Sequence, residues 1–507
     1  MLRKTYIIFS FILISGISIA QKLPNVIVVL ADDIGSGDLS YYRRMHSQEV
    51  ALETPHLDAL AKSGMAFTNA HSPAALCAPS RYAIMTGNSC YRSPSPWGVW
   101  SAYAKSPIQK DQLTLGRLMK QANYHTAFLG KWHLGGRYYR KGSNELLYEP
   151  VGKDPQLDVD ISKIVDDGPQ QMGFDYSITL PAGIQNVPYA VYENGEWMPL
   201  EDSRIDLITH ESMTKINASL DKSEGLGDAN WDPHIMGPLL AGKAVNYIST
   251  HANQSQPFFM YYCSQAVHLP HTPPAELNGV KIAGTTPSAH MDMIRELDEQ
   301  IGMMIAELKK RGVYENTIFI FTSDNGGLHV DKKTLASGHK PNSIYRGSKN
   351  TPYEGGHRVP FIISWPAQIK AEQQSSQTVL GLDIMATLAA ISGQKIEEGQ
   401  AMDSYNLLPI LKNDINAETH PYLMVQGGSH REVMIIENGW KLIIQVDKKD
   451  KSDQTRTPVA LFNLNDNLIE DERYNLINNN KYMKKVEALF DKYNSTRESK
   501  VFTGNHL

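Results

Sequence analysis

Short runs of consecutive apolar residues recur along most of the chain, each closing on polar or charged positions. "NVIVVLADD" (25–33) is the clearest. A continuous β-branched run of this length predicts a strand buried on both faces, the habit of parallel sheets. "HTAFLGKWH" (125–133), "PFFMYYCSQ" (257–265), "TIFIFTSDNGG" (317–327) and "VPFIISWP" (359–366) follow the same pattern. Between them, "PHLDALAKSGMAF" and "MIRELDEQIGMMIAELKKRG" space their apolar residues as helices do, with a glycine near each end. Alternating strand and helix predict an α/β fold, a large mostly parallel or mixed sheet flanked by helices.

From about residue 400 the pattern changes. "REVMIIENGWKLIIQV" reads as two strands joined through Asn438-Gly439, a hairpin signal. "VALFNL" adds a strand, "YMKKVEALFDKY" a terminal helix, and "DKKDKSDQTRTP" a solvated loop. The expected division is a catalytic domain over 21–400 and a small C-terminal subdomain, antiparallel sheet plus helix, over 401–507. Residues 137–235 have weak periodicity and many turns, and read as insertions over one face of the sheet.

At the N-terminus, Arg3 and Lys4 precede "YIIFSFILISGISIA", which closes on small residues. This describes a secretory signal over 1–20. The rival reading, a membrane anchor, is disfavoured because the run is shorter than the ~20 apolar residues a span needs. The expected location is therefore outside the cytoplasm, periplasmic or secreted. A net charge of −5 gives no reason to expect nucleic acid or an anionic membrane as partner. Export usually brings disulfides, yet there are only three cysteines. Cys263 ends an apolar run and reads as core, Cys90 has no distinguishing context, and Cys77 stands apart.

Candidate chemistry gathers at strand ends. Asp32 and Asp33 follow the first run, and Asp324 and Asn325 follow the fourth. Ligands of open α/β sheets lie at strand carboxyl ends, and four oxygen-bearing side chains there suit a hard cation, Ca²⁺ or Mg²⁺. In "LCAPSRYAIMTG" (76–87), Pro79 suits a first helical turn, which puts Cys77 at a helix N-terminus with Arg81 one turn on. Backbone N–H groups and a guanidinium then converge where an anion would sit.

"CAPSR" followed by "TG", after "ADD" and before "GKWHLG" and "SDNGG", resembles the formylglycine-dependent sulfatases of the alkaline phosphatase superfamily. The resemblance runs from about residue 24 to 370. It implies that Cys77 is oxidised to formylglycine by a formylglycine-generating enzyme or equivalent maturase. It implies that Asp32, Asp33, Asp324, Asn325 and modified Cys77 bind one divalent cation, more often calcium in this family. Arg81 would orient the aldehyde hydrate, one hydroxyl of which attacks sulfur with Asp324 as base. His268, with Lys349, would protonate the leaving alcohol. His133, paired in "GKWHLG" with Lys131, would take the proton from the remaining hydroxyl as sulfate leaves.

The substrate expected from location and resemblance is a sulfated carbohydrate: carrageenan, ulvan or another algal polysaccharide, or a glycosaminoglycan. In "NSCYRSPSPWGVW" (88–100), Arg92 could meet a neighbouring charge and Trp97 and Trp100 could stack on sugar faces; packing within the insertion is the alternative. His271 carries no role. Three rival functions remain open: a phosphodiesterase or phosphonate monoester hydrolase of the same superfamily, a non-catalytic glycan-binding protein, and an enzyme using Cys77 as thiolate.

Overall fold

The computed structural model of the chain describes residues 22–147, 157–414, 417, 419–449 and 455–499. The segment 1–20, expected to be a signal, and residues 450–454 of the solvated loop lie outside the described residues.

The apolar runs become the middle of a ten-stranded sheet. From edge to edge its strands are Gln373–Ser375, Met65–Phe67, Phe361–Ser364, Thr317–Ser323, Asn25–Ala31, Phe258–Cys263, His125–Lys131, Tyr176–Ile184, Tyr192–Glu193 and Glu196–Trp197. The five from Thr317–Ser323 to Tyr176–Ile184 run parallel. All five therefore end at the same edge of the sheet.

Asn25–Ala31 shows why the run is unbroken: successive side chains enter opposite layers. Val26, Val28 and Leu30 pack with Tyr82, Leu118, Phe128 and Leu388. Ile27 and Val29 pack with Leu57, Leu240, Ile248, Leu297 and Ile301. The second layer is built by the helices Pro55–Lys62, Met236–His251 and Ala289–Lys310. Each such side chain, taken fully out of water, contributes about 1.5–3 kcal/mol.

Two expectations are corrected here. Phe361–Ser364 is antiparallel to Thr317–Ser323 rather than parallel; a strand buried on both faces reads alike in either direction. The 137–235 segment does more than cover a face, because it supplies Tyr176–Ile184 and the two edge strands after it. Its run "YSITLPAGI" is broken by polar residues, Pro181 and Gly183, which hid its continuity.

The C-terminal sheet is antiparallel, in the order Leu423–Gln426, Glu432–Glu437, Trp440–Val446, Arg456–Asn463. Asn438 (φ 50°) and Gly439 (φ 78°) make the two-residue turn. One face holds the helix Met483–Glu498 through Val486, Leu489 and Tyr493. The other lays Val425, Met434, Ile443 and Phe462 against Ala83, Leu380 and Leu382. Ala83 belongs to the helix that begins at Cys77, so the small sheet buttresses that helix directly.

Candidate active site

Cys77 opens the helix Cys77–Thr86, after an extended Leu76 and with no side chain capping the end. Its first N–H groups are left for an anion. Gly87, at φ 68°, closes the helix. Ser80, whose role the sequence did not reveal, fixes the approach: its hydroxyl donates to the Ala74 carbonyl (2.8 Å) and accepts from the Ala74 N–H (3.0 Å).

The parallel strands deliver the remaining groups. Asp32 and Asp33 follow Ala31, Asp324 and Asn325 follow Ser323, Lys131 and His133 close the His125–Lys131 strand, and His268 follows Cys263. Lys131 Nζ donates to Asp32 Oδ2 (2.7 Å) and to Gln185 Oε1 (2.8 Å). Lys349 Nζ lies 2.7 and 2.8 Å from the two Asp33 oxygens. Arg81 donates through Nε to Asp324 Oδ2 (2.9 Å) and through Nη1 to the Lys131 carbonyl (3.0 Å). Asn325 Nδ2 donates to Asp33 Oδ1 (2.9 Å). His268 Nδ1 donates to the Leu269 carbonyl (2.7 Å), leaving Nε2 turned to Asp33 Oδ2 at 3.7 Å.

Apart from the partly exposed Lys349, these groups are nearly or wholly removed from water, so charge decides their states. Burial pushes the Asp324 carboxyl up, Arg81 pulls it back, and crowding by Asp32 and Asp33 leaves it at about 6. At Asp32 and Asp33 burial acts the same way but is outweighed, chiefly by Lys131 and by Lys349, and both fall below the usual carboxylate range. Burial, with Lys349 and Lys131, takes His268 down to about 4. Burial, with Lys131 and Arg81, holds His133 well below its ordinary value. Burial also pushes the Cys77 thiol up, which opposes its use as a thiolate.

The cluster opens into a cleft of roughly 490 Å³ lined by Cys77, Asp33, His133, His268 and Lys349. Gln185, Asn186, Lys222 and His329 share its wall; no motif marks them in the sequence. Gln185 is placed by the unpredicted Tyr176–Ile184 strand, whose Gly183 (φ 73°) leaves room for Lys131: a Cβ there would meet Lys131 Cδ at 2.9 Å.

Arg92, Trp97 and Trp100 do not reach this cleft, and the expectation of substrate contact gives way to packing. Arg92 is paired with Asp403 through Nε (2.7 Å) and Nη2 (2.8 Å), in a separate cavity of about 340 Å³. Trp97 packs against the C-terminal sheet and helix. Trp100 is buried, its ring 6.0 Å from that of Tyr82.

A family model described as Sulfatase matches residues 24–393, well over half of the chain. The chain belongs to the sulfatase family. It is accordingly a sulfuric ester hydrolase. An N-acetylgalactosamine-6-O-sulfatase of Bacteroides thetaiotaomicron is 31% identical over 456 residues, covering 84% of this chain and 83% of that protein. The N-acetylgalactosamine-6-sulfatase of Mus musculus is 29% identical over 404 residues, 77% of this chain and 67% of its own. Among solved structures, a Bacteroides thetaiotaomicron sulfatase from work on the metabolism of multiple glycosaminoglycans superposes with a TM-score of 0.78. It has 27% identity and covers 94% of this chain and 99% of its own.

The sulfatase site suits a hard divalent cation. Asp32 Oδ1 and Asn325 Oδ1 are both buried without a hydrogen-bond partner, Asp32 Oδ1 meeting Arg81 Nη2 only at 3.5 Å, and each has lone pairs left for a cation. Together with Asp33 and Asp324 they form an all-oxygen donor set, fitted to Ca²⁺ or Mg²⁺.

Proposed function

We propose that this sulfatase removes sulfate from a sulfated carbohydrate outside the cytoplasm, with Cys77 matured to formylglycine and one divalent cation, Ca²⁺ or Mg²⁺, held by Asp32, Asp33, Asp324 and Asn325. The reading includes a catalytic domain over 21–400, a C-terminal subdomain over 401–507, and a formylglycine-generating maturase as partner. What carries it is the meeting of the two orphaned oxygens, Asp32 Oδ1 and Asn325 Oδ1, with Cys77 and two lysines at one end of the sheet. The names of the galactosamine-sulfate relatives support the carbohydrate class. Among the described residues no helix is long and apolar enough to cross a membrane.

The cation, when bound, supplies positive charge against the sulfate oxygens. The hydrated aldehyde supplies a nucleophile with a second hydroxyl on the same carbon, from which sulfate can leave. The protein's own groups do the rest. Lys131 and Lys349 set two ammonium groups beside the acid pair, offsetting charge that grows as the ester bond breaks. Arg81 clamps Asp324 to the end of the Lys131 strand, fixing acid and lysine together. His268 presents Nε2 to the cleft, and the negative charge of a bound sulfate favours a proton there for the departing alcohol. His133, neutral and with Nδ1 unpartnered, is ready to accept a proton in the release step.

Purified, matured enzyme is to be incubated with defined galactosamine, glucosamine and galactan sulfate oligosaccharides while free sulfate is quantified. Release from at least one carbohydrate is expected. Release only from aryl sulfates would contradict the substrate class.

A further inference from the structure

Beside the catalytic loops lies a second buried cluster that the desulfation chemistry does not use. Asp38 sits five residues beyond Asp33, His290 in the first turn of Ala289–Lys310, and His339 in the loop before Lys349. They are 1%, 1% and 0% exposed. Each turns a ligand atom to within 4.8 Å of the other two. His290 has no hydrogen-bond partner at either ring nitrogen, and His339 none at Nδ1. His271, three residues beyond His268, stacks edge-on to His290 with ring centres 5.1 Å apart, and its buried Nε2 also lacks a partner.

A buried imidazole bonded at neither nitrogen has given up its hydration for nothing, and here three imidazoles with unpartnered nitrogens lie side by side, His290 having ring centres 5.1 Å from His271 and 5.9 Å from His339. The carboxylate is already aimed. Asp38 Oδ2 accepts the Gly35 N–H (2.8 Å), while Oδ1 faces His339 Nε2 at 2.7 Å. A similar group, His71, Glu354 and His357, shows the contrast. There the two histidines meet through their Nδ1 atoms (2.8 Å), and Lys441 Nζ reaches Glu354 (2.9 Å) and His357 (3.0 Å). That group holds its own ammonium cation. Of the two, only the Asp38 cluster is left with unmet donors and acceptors.

We propose that Asp38, His290 and His339 bind a late first-row transition metal such as Zn²⁺, with water in the fourth position. Imidazole nitrogens with one carboxylate suit Zn²⁺ and its neighbours, whereas Ca²⁺ and Mg²⁺ want oxygen throughout. Three protein donors and one water make a tetrahedral site. The ion would tie the turn after Asp33, one long helix and the loop before Lys349, with His271 of the loop after His268 packed against His290.

The test uses the full-length protein, with Ca²⁺ in excess to fill the oxygen site, stripped with dipicolinate and titrated with Co²⁺. One equivalent is expected to bind with the visible d–d bands of tetrahedral Co²⁺, to be displaced by Zn²⁺, and to raise the melting temperature. Cys77→Ala should leave the bands unchanged, which separates this site from the thiol. His290→Phe and His339→Phe should each weaken Co²⁺ binding more than about 100-fold, beyond what outer partners of a ligand contribute. Absent or octahedral bands in the wild type would overturn the proposal even if neither variant folds, as would bands that survive in His290→Phe.

Discussion

Lys131 and Arg92 are both buried and both paired with aspartate, yet they do opposite work. Lys131, wholly buried, touches Asp32 behind the cleft. Lys131→Met keeps most of the volume and removes the ammonium, so kcat/KM for a sulfate ester should fall by about 100-fold or more with the fold intact by circular dichroism. Arg92 meets Asp403 in another cavity. Arg92→Ala should leave KM for a charged oligosaccharide unchanged while lowering stability by about 2 kcal/mol in urea titration, because the partly buried Asp403 loses its guanidinium and keeps only Ser89 N–H and Tyr91 OH. The sequence made the first residue legible because a motif fixes its place at a strand end. It could not separate the second from a substrate contact, because Asp403 is distant in the chain and nothing local reports that pairing. Gln185 was missed for the same reason, its partner Lys131 lying on another strand.

Elements impose their own demands. The strand Tyr176–Ile184 admits Lys131 only through Gly183, so Gly183→Ala introduces both a strained φ and a clash with the lysine stem. Activity should drop and the melting temperature fall, by the equivalent of about 1–3 kcal/mol. Helix Ala289–Lys310 buries four acids, Asp292, Glu296, Asp298 and Glu307, and burial raises two of them. Glu296 accepts from Gln265 (2.8 Å) and Gln300 (3.0 Å), and burial raises it to about 8. Asp298 accepts the N–H groups of His56 and Leu57, and burial raises it to about 7. Folded-state values above the unfolded ones mean that folding takes up protons. The stabilisation is thus complete below the unfolded values near 4 and is lost as pH rises through 7 and 8. Across this range the melting temperature of the wild type should fall relative to that of Glu296→Gln; a difference that does not change with pH would contradict the assignment. The strands and long helices were legible because unbroken apolar runs and helical spacing are strong local signals. Strand direction, and the proline-interrupted fifth parallel strand, depend on partners far along the chain.

At the scale of the molecule, the small sheet is a brace for the catalytic helix. Ala75 N–H donates to Gln426 O (2.8 Å), Asn350 N–H to Ala75 O (2.7 Å) and Ser429 N–H to Asn350 Oδ1 (2.6 Å), stitching the Cys77 approach, the Lys349 loop and the C-terminal sheet together. Lys441 of that sheet is wholly buried between Glu354 and Glu470. Lys441→Ala should destabilise the protein by about 3–5 kcal/mol, since two acids lose their shared cation, and activity should be lost together with the fold, read by parallel melting and turnover curves. The hairpin and terminal helix of this sheet were legible; their docking against Ala83 was not, because each contact joins residues hundreds of positions apart. The whole assembly serves one point, the side chain at position 77. Mass spectrometry of the peptide spanning Cys77, taken from protein that is turning over sulfate ester, tests that point most directly. The account predicts the aldehyde or its hydrate at position 77 in the active fraction; an unmodified, alkylatable thiol in fully active enzyme would contradict it.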